Sequence, residues 1–317
     1  MGVLGQQSEA RRSLNDALSA GYSQPLPDGS GTVEQSAAVL RSRFPWGNVG
    51  ELRDAARAVN EFRGSLTPRY QAVAAFGNGM ANFLSGEYGQ ETRVELDLAA
   101  EMATDLGLWV TVVNCLGFRA HLALAENKAD EAESFGRHAI DMATTHGHAD
   151  LPHVGYYEAA YGAGVARSGR LAEGDGLLEH GIAQLGDFDP VLCAHARLLH
   201  VPVRSQLGDT EGARALLDEA KAQLAECDDP GVVADLGVQV ARALSTSRRQ
   251  GTERSEITDR EMDVLRLLDN GLSQHEIANE LFLSFHTIHS HTKRLYAKLD
   301  ASSRDKALAR AREQGIL

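Results

Sequence analysis

Residues 258–317 read TDREMDVLRLLDNGLSQHEIANELFLSFHTIHSHTKRLYAKLDASSRDKALARAREQGIL. Their apolar spacing, capping residues and turn residues predict four short helices. Three residues, Phe282-Leu283-Ser284, separate the second helix from the third, and so tight a turn is typical of a helix-turn-helix. We call this stretch the C-terminal head, and we interpret the rest of the chain as a body that controls it.

The boundaries of the head helices follow from their capping residues. TDRE (258–261) and SQHE (273–276) are capping boxes that begin the first and second helices. Asn270-Gly271 ends the first helix, since glycine takes the left-handed cap, and Ser284 is a suitable N-cap for the third. The first two helices are expected to bury Met262, Leu265, Leu268, Ile277, Ala278 and Leu281.

The third helix, from about Phe285 to Leu299, is amphipathic. With helical spacing, one face carries an apolar stripe and the opposite face carries mostly hydrogen-bond donors. An apolar stripe that packs on the first two helices, with donors facing outward, is what insertion into a DNA major groove requires. A merely solvated helix face would explain the charge but not the tight turn and the two caps. The stripe consists of Ile288, Thr292, Leu295 and Leu299, and the outer face of His286, His289, Ser290, Lys293, Arg294 and Ala297.

The fourth helix follows Ser302-Ser303 and carries a stripe of small apolar residues. This stripe could pack against the head itself or against a second copy of the chain, and the sequence leaves both alternatives open. The candidate residues for such a dimer helix are Arg304, Ala307, Leu308 and Ala311.

Charge is distributed unevenly along the chain. The net charge is −13, of which residues 1–251 contribute −12 and residues 252–317 contribute −1. Between residues 284 and 312 there are seven basic residues and two acidic ones. Because the local field is what meets a phosphate backbone, the third and fourth helices form the surface best suited to DNA.

The head resembles the LuxR-type helix-turn-helix domain of bacterial transcription regulators. The motifs that carry the resemblance are T-x-R-E-x-x-V-L from Thr258, G-x-S-x-x-E-I-A from Gly271, S-x-x-T-I-x-x-H from Ser284, and then Lys298-Leu299 and Arg304. In this order and spacing the motifs are highly specific, although they cover only the head. The resemblance implies that the third helix enters the major groove and that the fourth often forms the dimer contact.

Matched position by position, the resemblance implies DNA contacts along the third helix. The base-contacting lysine of the family falls on His289, with Ser290 beside it, and a second lysine falls on Lys293. Contacts to the DNA backbone fall on Thr287, Arg294 and Lys298. With the outward-facing residues included, the candidate DNA-binding residues are Ser284, His286, Thr287, His289, Ser290, Lys293, Arg294 and Lys298.

Three positions depart from the family pattern. His289 replaces a usual lysine, so we expect weaker and pH-sensitive binding. Gln274 stands where asparagine is usual. Asp300-Ala301 replaces the common glycine-valine after the third helix, where glycine would adopt the left-handed conformation more easily.

From about residue 50 the sequence repeats with a period near 40 residues. EMATDLG (101–107) recurs as DMATTHG (141–147), and the turns NKADEA (127–132), GRLAEG (169–174) and GDTEGA (208–213) lie 42 and 39 residues apart. Each copy predicts a helix, a short turn and a second helix, which is typical of an α-solenoid. The copies resemble tetratricopeptide repeats, and an irregular all-α domain is the alternative.

Solenoids bind their partners along the concave face. Five residues are candidates for such a surface, although the sequence favours a core between repeats for them: Trp109, His153, Tyr156, Tyr157 and Tyr161. The effector that would bind there is not identified by the sequence, and a small molecule, a peptide and a protein all remain open.

The repeats are also similar to the C-terminal half of the large MalT-like regulators, which carry an NTPase module. This sequence contains no G-x-x-x-x-G-K-[S/T] P-loop, so we expect no nucleotide and no other cofactor. No nucleophile with its base, no paired carboxylates and no metal-ligand set stand out. We therefore expect neither an enzyme nor a metal protein.

Composition indicates an all-α protein of the cytoplasm. Three cysteines at widely separated positions argue against a disulfide framework. No apolar run approaches the ~18–20 residues of a membrane span, so no membrane partner is expected.

Taken together, the sequence predicts a tetratricopeptide-like α-solenoid followed by a four-helix LuxR-type head. The predicted segments are 1–45 (helix and loop), 46–244 (repeats), 245–256 (linker) and 257–317 (DNA-binding domain). The expected function is transcription regulation on double-stranded DNA as a homodimer, with RNA polymerase as a further candidate partner. The alternative is a protein-interaction adaptor whose helix-turn-helix is impaired in DNA binding.

Overall fold

The computed structural model describes residues 26–255, 257, 259–281, 283 and 285–317, with Arg12, Ser13, Asp16, Leu18 and Ser19. For residues 247–255, 286 and 297 it describes the backbone alone. Most of residues 1–25, the first part of the predicted segment 1–45, therefore lies outside the described residues, as do Thr258 of the first capping box and Ser284.

The chain divides into two compact units, residues 1–241 and 242–317. We call the first unit the repeat domain. The sequence predicts a linker over 245–256. In the structure residues 245–255 of this segment belong to the helix Val232–Ser255. The α-helices of the described residues are α1 (Val33–Arg41), α2 (Val49–Phe62), α3 (Pro68–Leu84), α4 (Gln90–Asp105), α5 (Trp109–Ala125), α6 (Ala129–Thr145), α7 (Pro152–Arg167), α8 (Leu171–Leu185), α9 (Pro190–Gln206), α10 (Thr210–Ala225), α11 (Val232–Ser255), α12 (Asp259–Asp269), α13 (Gln274–Glu280), α14 (Phe285–Lys298) and α15 (Arg304–Glu313).

Helices account for the regular structure of the described residues. A short 3-10 turn, Arg63–Ser65, follows α2, and the pairing of Asn48 with Asp229 is an isolated β-bridge outside any strand. The predicted all-α class is confirmed. No helix in the described part of the chain combines the length and apolar character needed to cross a membrane.

Helical hairpins repeat along the repeat domain with the predicted period. The turns inside the hairpins α3–α4, α5–α6, α7–α8 and α9–α10 each contain a residue with positive φ, and so do the turns between hairpins. Positive φ favours glycine, and asparagine is among the few other residues that adopt it readily. The residues inside hairpins are Gly86, Asn127, Gly169 and Gly208, and those between hairpins are Gly107, Gly147 and Gly186.

The two helices of each hairpin differ in burial. Helices α3, α5, α7 and α9 are buried around most of their circumference, as expected for helices that are apolar on several faces. Helix α6, in contrast, buries one narrow stripe of small residues, namely Ala132, Gly136, Ala139 and Ala143. The first helix of each hairpin therefore lies inside, and the second covers it.

The inner helices meet in a filled aromatic core. The rings of Phe83 on α3 and Phe118 on α5 lie 5.7 Å apart, and the ring of His121 stacks on Tyr156 of α7 at 3.8 Å. The hydroxyl of Tyr156 lies 2.6 Å from Nδ1 of His195 on α9. Four inner helices thus contribute side chains to one cluster.

This core decides between the two interpretations of the aromatic residues. His153, Tyr156 and Tyr157 are buried at 0 to 2% exposure, so they belong to the core and do not form a binding surface. The favoured interpretation, a core between repeats, is confirmed at these three positions, and the alternative of an exposed concave face is wrong there, because the inner helices approach closely enough to bury them. Trp109 and Tyr161 remain half-buried.

Glycines allow α7 and α8 to pack backbone against backbone. A Cβ atom added to Gly181 would lie 2.5 Å from the carbonyl oxygen of Gly155, and one added to Gly155 would be closer still to that of Gly181. Gly162 and Gly174 face each other in the same way one heptad along. The small-residue pattern of these helices is therefore a packing requirement.

The beginning and the end of the repeat domain are joined by backbone hydrogen bonds. Val49 N–H donates to the carbonyl oxygen of Asp229 at 2.8 Å, and Asp229 N–H donates to that of Gly47 at 3.3 Å. Nearby, the rings of Phe44 and Phe188 meet edge to face at 5.1 Å. The beginning of α2 and the residues before it are thus tied to the segment that precedes α11.

Candidate nucleic-acid interface

The four helices of the C-terminal head share one apolar core. The predicted stripe of α14 is confirmed, since Ile288, Thr292, Leu295 and Leu299 are 0 to 2% exposed. It packs with Leu265 and other apolar residues of α12, α13 and α15. Met262 and Leu281, which were expected to be buried, are only partly buried at the edge of this core.

Caps and a left-handed turn set the relative position of α12 and α13. Gly271 has φ +91° directly after α12. The predicted capping box of α13 is confirmed: Glu276 N–H donates to Ser273 Oγ, and Ser273 N–H donates to Glu276 Oε2 at 2.8 Å. The bond from the Ser273 backbone also lowers the pKa of Glu276. Four residues, 281–284, then connect α13 to α14, as a helix-turn-helix requires.

The outer face of α14 presents two cations. Lys293 and Arg294 are exposed, and neither has an ion-pair partner among the described residues. His289 is exposed beside them, whereas Thr287 and Ser290 are half-buried. Seven of the eight predicted contact residues therefore lie on α14, and the side chain of one of them, His286, lies outside the described part.

Phe285 is an exposed aromatic residue at the beginning of α14 that sequence analysis did not assign. It is 43% exposed, and its ring lies 4.1 Å from that of His275 and 6.1 Å from that of His289. Nδ1 of His289 lies 3.2 Å from Oε1 of Gln274. Because Phe285 has core spacing with Ile288, helical periodicity alone would place it inside. These four side chains form one cluster where α13 and α14 begin.

Lys298, predicted to contact the DNA backbone, is held inside the head. Its Nζ donates to Oε2 of Glu261 on α12 at 2.6 Å, and the two side chains are only 9% and 3% exposed. The ammonium group of Lys298 is already paired with a carboxylate. It is therefore less available to a phosphate than the charged groups of Lys293 and Arg294 are.

The apolar stripe of α15 packs on the head itself. Ala307 and Ala311 are 1% and 0% exposed, and Leu308 is partly buried against the same core. The guanidinium of Arg304 donates to the backbone carbonyl of Leu268. These four residues therefore stabilise their own domain, and the outer side of α15 is polar.

Asp300 adopts the left-handed conformation after α14, with φ +49°. Ala301 N–H then donates to the carbonyl oxygen of Tyr296 at 2.9 Å, which closes the end of the helix. This is the conformation for which the sequence comparison with the family expects glycine. Asp300 therefore fills that role at some cost in conformational energy.

Helices α12 to α15 thus form a helix-turn-helix domain with a fourth helix. Residues 255–311 match the family model described as bacterial regulatory proteins, luxR family. This C-terminal segment is accordingly a luxR-family helix-turn-helix domain.

Relatives with similar sequences are transcription regulators, and each match covers a limited part of the chain. A putative HTH-type transcriptional regulator of Mycobacterium bovis is 41% identical over 59 residues, which are 19% of this chain and 7% of that protein. The transcriptional regulatory protein LiaR of Bacillus subtilis is 27% identical over 113 residues, 36% of this chain and 53% of LiaR. The chain therefore covers about half or less of these relatives.

A solved structure, BtubC from P. vanneervenii, is similar to 70% of this chain and 90% of its own. Its sequence identity is 18% and the TM-score is 0.46.

Proposed function

We propose that this chain is a sequence-specific DNA-binding transcription regulator that inserts α14 into the major groove. The observation that carries the proposal is the two-sided character of α14. Its apolar stripe is fully buried, and on the opposite side Lys293 and Arg294 have no ion-pair partner among the described residues. The luxR-family match over the same helices supports it. A recognition helix needs both faces, since one fixes its position and the other meets the DNA.

The contacts divide by chemistry. Lys293 and Arg294 would supply charge to phosphates or to guanine acceptors, while His289 and Ser290 would donate to base edges. Phe285 would add an apolar contact to the methyl group of a thymine. Lys298 would act through its ion pair with Glu261, positioning the last turn of α14 rather than meeting phosphate itself.

The proposal includes binding as a homodimer on two half-sites. Since Ala307 and Ala311 are buried in their own domain, a contact between two α15 helices would use the exposed residues of that helix. Those residues are Asp305, Lys306, Ala309, Arg310, Arg312 and Glu313.

The proposal also assigns control to the repeat domain, which would bind an effector and alter the DNA affinity of the head. The repeat domain contributes most of the negative charge of the chain. Such an acidic surface would repel DNA and restrict contact to the head.

Selection of bound sequences from a random duplex pool tests the proposal. We expect an enriched inverted repeat, and binding of the selected duplex that weakens steeply as salt is raised. Replacing Lys293 with Ala should cost about 1–3 kcal/mol if it contacts a base, while Phe285→Ala should weaken binding without changing the salt dependence. Lys221→Ala, an exposed lysine of the repeat domain outside the head, is the matched control. An unenriched pool, or equal effects of Lys293→Ala and Lys221→Ala, would contradict the proposal.

A second candidate is a protein-interaction adaptor that does not bind DNA. The observation in its favour is that only Lys293 and Arg294 remain as unpaired cations on the described part of α14, because Lys298 is neutralised by Glu261. Titration with a generic duplex separates the two candidates, since an adaptor would show no salt-dependent binding even at low ionic strength.

A further inference from the structure

A cavity of about 400 Å³ lies inside the repeat domain, where α3 and α5 begin. It is lined by the first turns of these two helices, by the turn between α4 and α5, and by residues Arg43, Phe44 and His148 from neighbouring loops. Its volume is in the range of sites that hold small molecules. The cavity is distinct from the buried aromatic core between the inner helices.

The cavity is lined by two arginines and by no described carboxylate. The arginines are Arg43 and Arg69, and His148 also lines the cavity. The guanidinium of Arg43 has no hydrogen-bond or ion-pair partner among the described residues. Its burial lowers its pKa, which the nearby Tyr70 opposes and Arg69 reinforces.

The other partly buried arginines that the structure describes in the repeat domain each have an acidic or carbonyl partner. Arg63 meets Glu95 at 2.8 Å and Arg197 meets Glu219 at 2.9 Å, while Arg167 donates to the backbone carbonyl oxygen of Leu124. A partly desolvated cation is costly unless a negative group compensates it. Because Arg43 has no counter-charge among the described residues, we expect a ligand of this cavity to carry a negative charge.

Neutral donors face the same space. The N-cap residue of α5, Leu108, offers no side-chain hydrogen bond to the first turn of the helix, so backbone N–H groups there are left for an external acceptor. Asn114 is 7% exposed. Its Oδ1 accepts from the hydroxyl of Tyr157 at 3.1 Å, which leaves its Nδ2 without a described partner on the cavity wall.

The remaining wall is aromatic. Tyr70, Phe76 and Trp109 line the cavity. The indole of Trp109 is held by the ring of His146, which stacks on it at 4.0 Å with an interplanar angle of 11°. A fixed aromatic surface next to donors and cations favours a flat apolar ligand that carries an acceptor group at one end.

We propose that this cavity binds an aromatic anion, such as an aromatic carboxylate or sulfonate, with its ring beside Trp109 and its anionic group at Arg43, Asn114 and the first turn of α5. Binding itself does not depend on the proposed DNA-binding function, and only the assignment of the ligand as an effector rests on it.

Two fluorescent probes that differ only in the anionic group provide the test. The aromatic sulfonate 8-anilinonaphthalene-1-sulfonate has an uncharged analogue, N-phenyl-1-naphthylamine. Titrated into the full chain without DNA, the sulfonate should bind about tenfold more tightly or better. Energy transfer from tryptophan to the probe should fall in Trp109→Phe, which retains Trp46. Equal dissociation constants for the two probes would overturn the proposal.

Substitutions locate the anionic group. Arg43→Gln should weaken binding of the sulfonate about tenfold and leave the uncharged probe unaffected, whereas Arg41→Gln, an exposed arginine outside the cavity, should change neither. If Arg43→Gln lowers the melting temperature, Arg69→Gln, at an exposed position on the cavity rim, takes its place. Unchanged affinity for the sulfonate in both folded variants would refute the assignment. The probe titration tests ligand binding, and the selection of duplexes tests DNA binding. A negative result in one experiment therefore does not contradict the proposal that the other one tests.

Discussion

Nζ of Lys298 lies 2.6 Å from Oε2 of Glu261, and the two side chains are almost completely enclosed by the head. The pair joins the last turn of α14 to the first turn of α12. Each group requires the other, because an unpaired charge in such surroundings is strongly unfavourable. The orientation of the recognition helix is therefore linked to an ion pair behind it.

Removing one member of this pair should be more harmful than removing an exposed pair. Glu261→Gln is expected to lower the free energy of unfolding of the head by about 3–5 kcal/mol, because Lys298 keeps its charge in a buried site. Hydrogen exchange of the amides in 259–299 under increasing urea measures this. Glu313→Gln, which disrupts the exposed pair with Arg310, should cost less than about 1 kcal/mol. Similar small losses for both variants would contradict a buried ion pair.

Two glycines of α8 should respond to alanine in opposite directions. Gly181→Ala places a methyl group against the carbonyl oxygen of Gly155 and should destabilise the repeat domain by about 1–3 kcal/mol. A methyl group on Gly176 meets nothing within 4 Å, so Gly176→Ala should stabilise the helix by about 0.8–1 kcal/mol. Thermal unfolding followed by circular dichroism compares them, and a shift of the same sign in both variants would count against the close packing of α7 and α8.

His153 should contribute a pH dependence to the stability of the repeat domain. Burial, with smaller effects from Arg43 and His148, lowers its pKa from 6.5 to about 4. Between these values the unfolded chain binds more protons at this ring than the folded chain does. The stability that depends on the neutral ring is therefore complete above pH 6.5 and is lost as the pH falls towards 4.

Replacing His153 with Phe isolates this contribution. Neither ring nitrogen of His153 has a hydrogen-bond partner among the described residues, so the variant should be more stable at pH 7 by about 1–2 kcal/mol. Its free energy of unfolding should also fall less steeply below pH 6.5, by up to about 1.4 kcal/mol per pH unit. Urea unfolding at several pH values measures the slope. The exposed His138→Gln serves as control, and a slope for His153→Phe that matches the control would disprove the assignment.

Asp300→Gly should stabilise the head. Glycine adopts φ near +49° without the steric cost that a side chain incurs, and the expected gain is about 0.5–1 kcal/mol after the larger entropy of the unfolded glycine is included. Asp305→Gly, within the first turn of α15, should instead cost about that much. The measurement is the midpoint of urea unfolding, and a loss of stability in Asp300→Gly would mean that the aspartate side chain contributes more than its conformation costs.

The head could be predicted closely because its information is local. Caps such as Ser273 with Glu276, and the stripe that includes Ile288 and Leu295, depend on residues a few positions apart, so sequence spacing determines them. Lys298 shows the limit of such reasoning. Its partner Glu261 lies on another helix, and a motif match that assigns a lysine to phosphate does not reveal a carboxylate beside it.

The period of the repeat domain could be predicted from the sequence, but the packing of its inner helices could not. The recurring turns at Asn127, Gly169 and Gly208 are visible in the sequence, because each needs an unusual backbone conformation. Whether the inner helices leave an open groove depends on how closely neighbouring hairpins approach, and that is a property of contacts between residues such as Tyr156 and His195, about 40 positions apart. The unpaired state of Arg43 is likewise visible only in three dimensions.

The hydrogen bonds between Asp229 and residues 47–49 bear on how the repeat domain loses its structure. In an open array each repeat contacts only its neighbours, and the terminal repeats fray first. Here the outermost hairpins support each other, so neither terminus offers an easy starting point for unravelling. We expect the domain to melt in one concerted step, with its first and last hairpins protected as well as its middle.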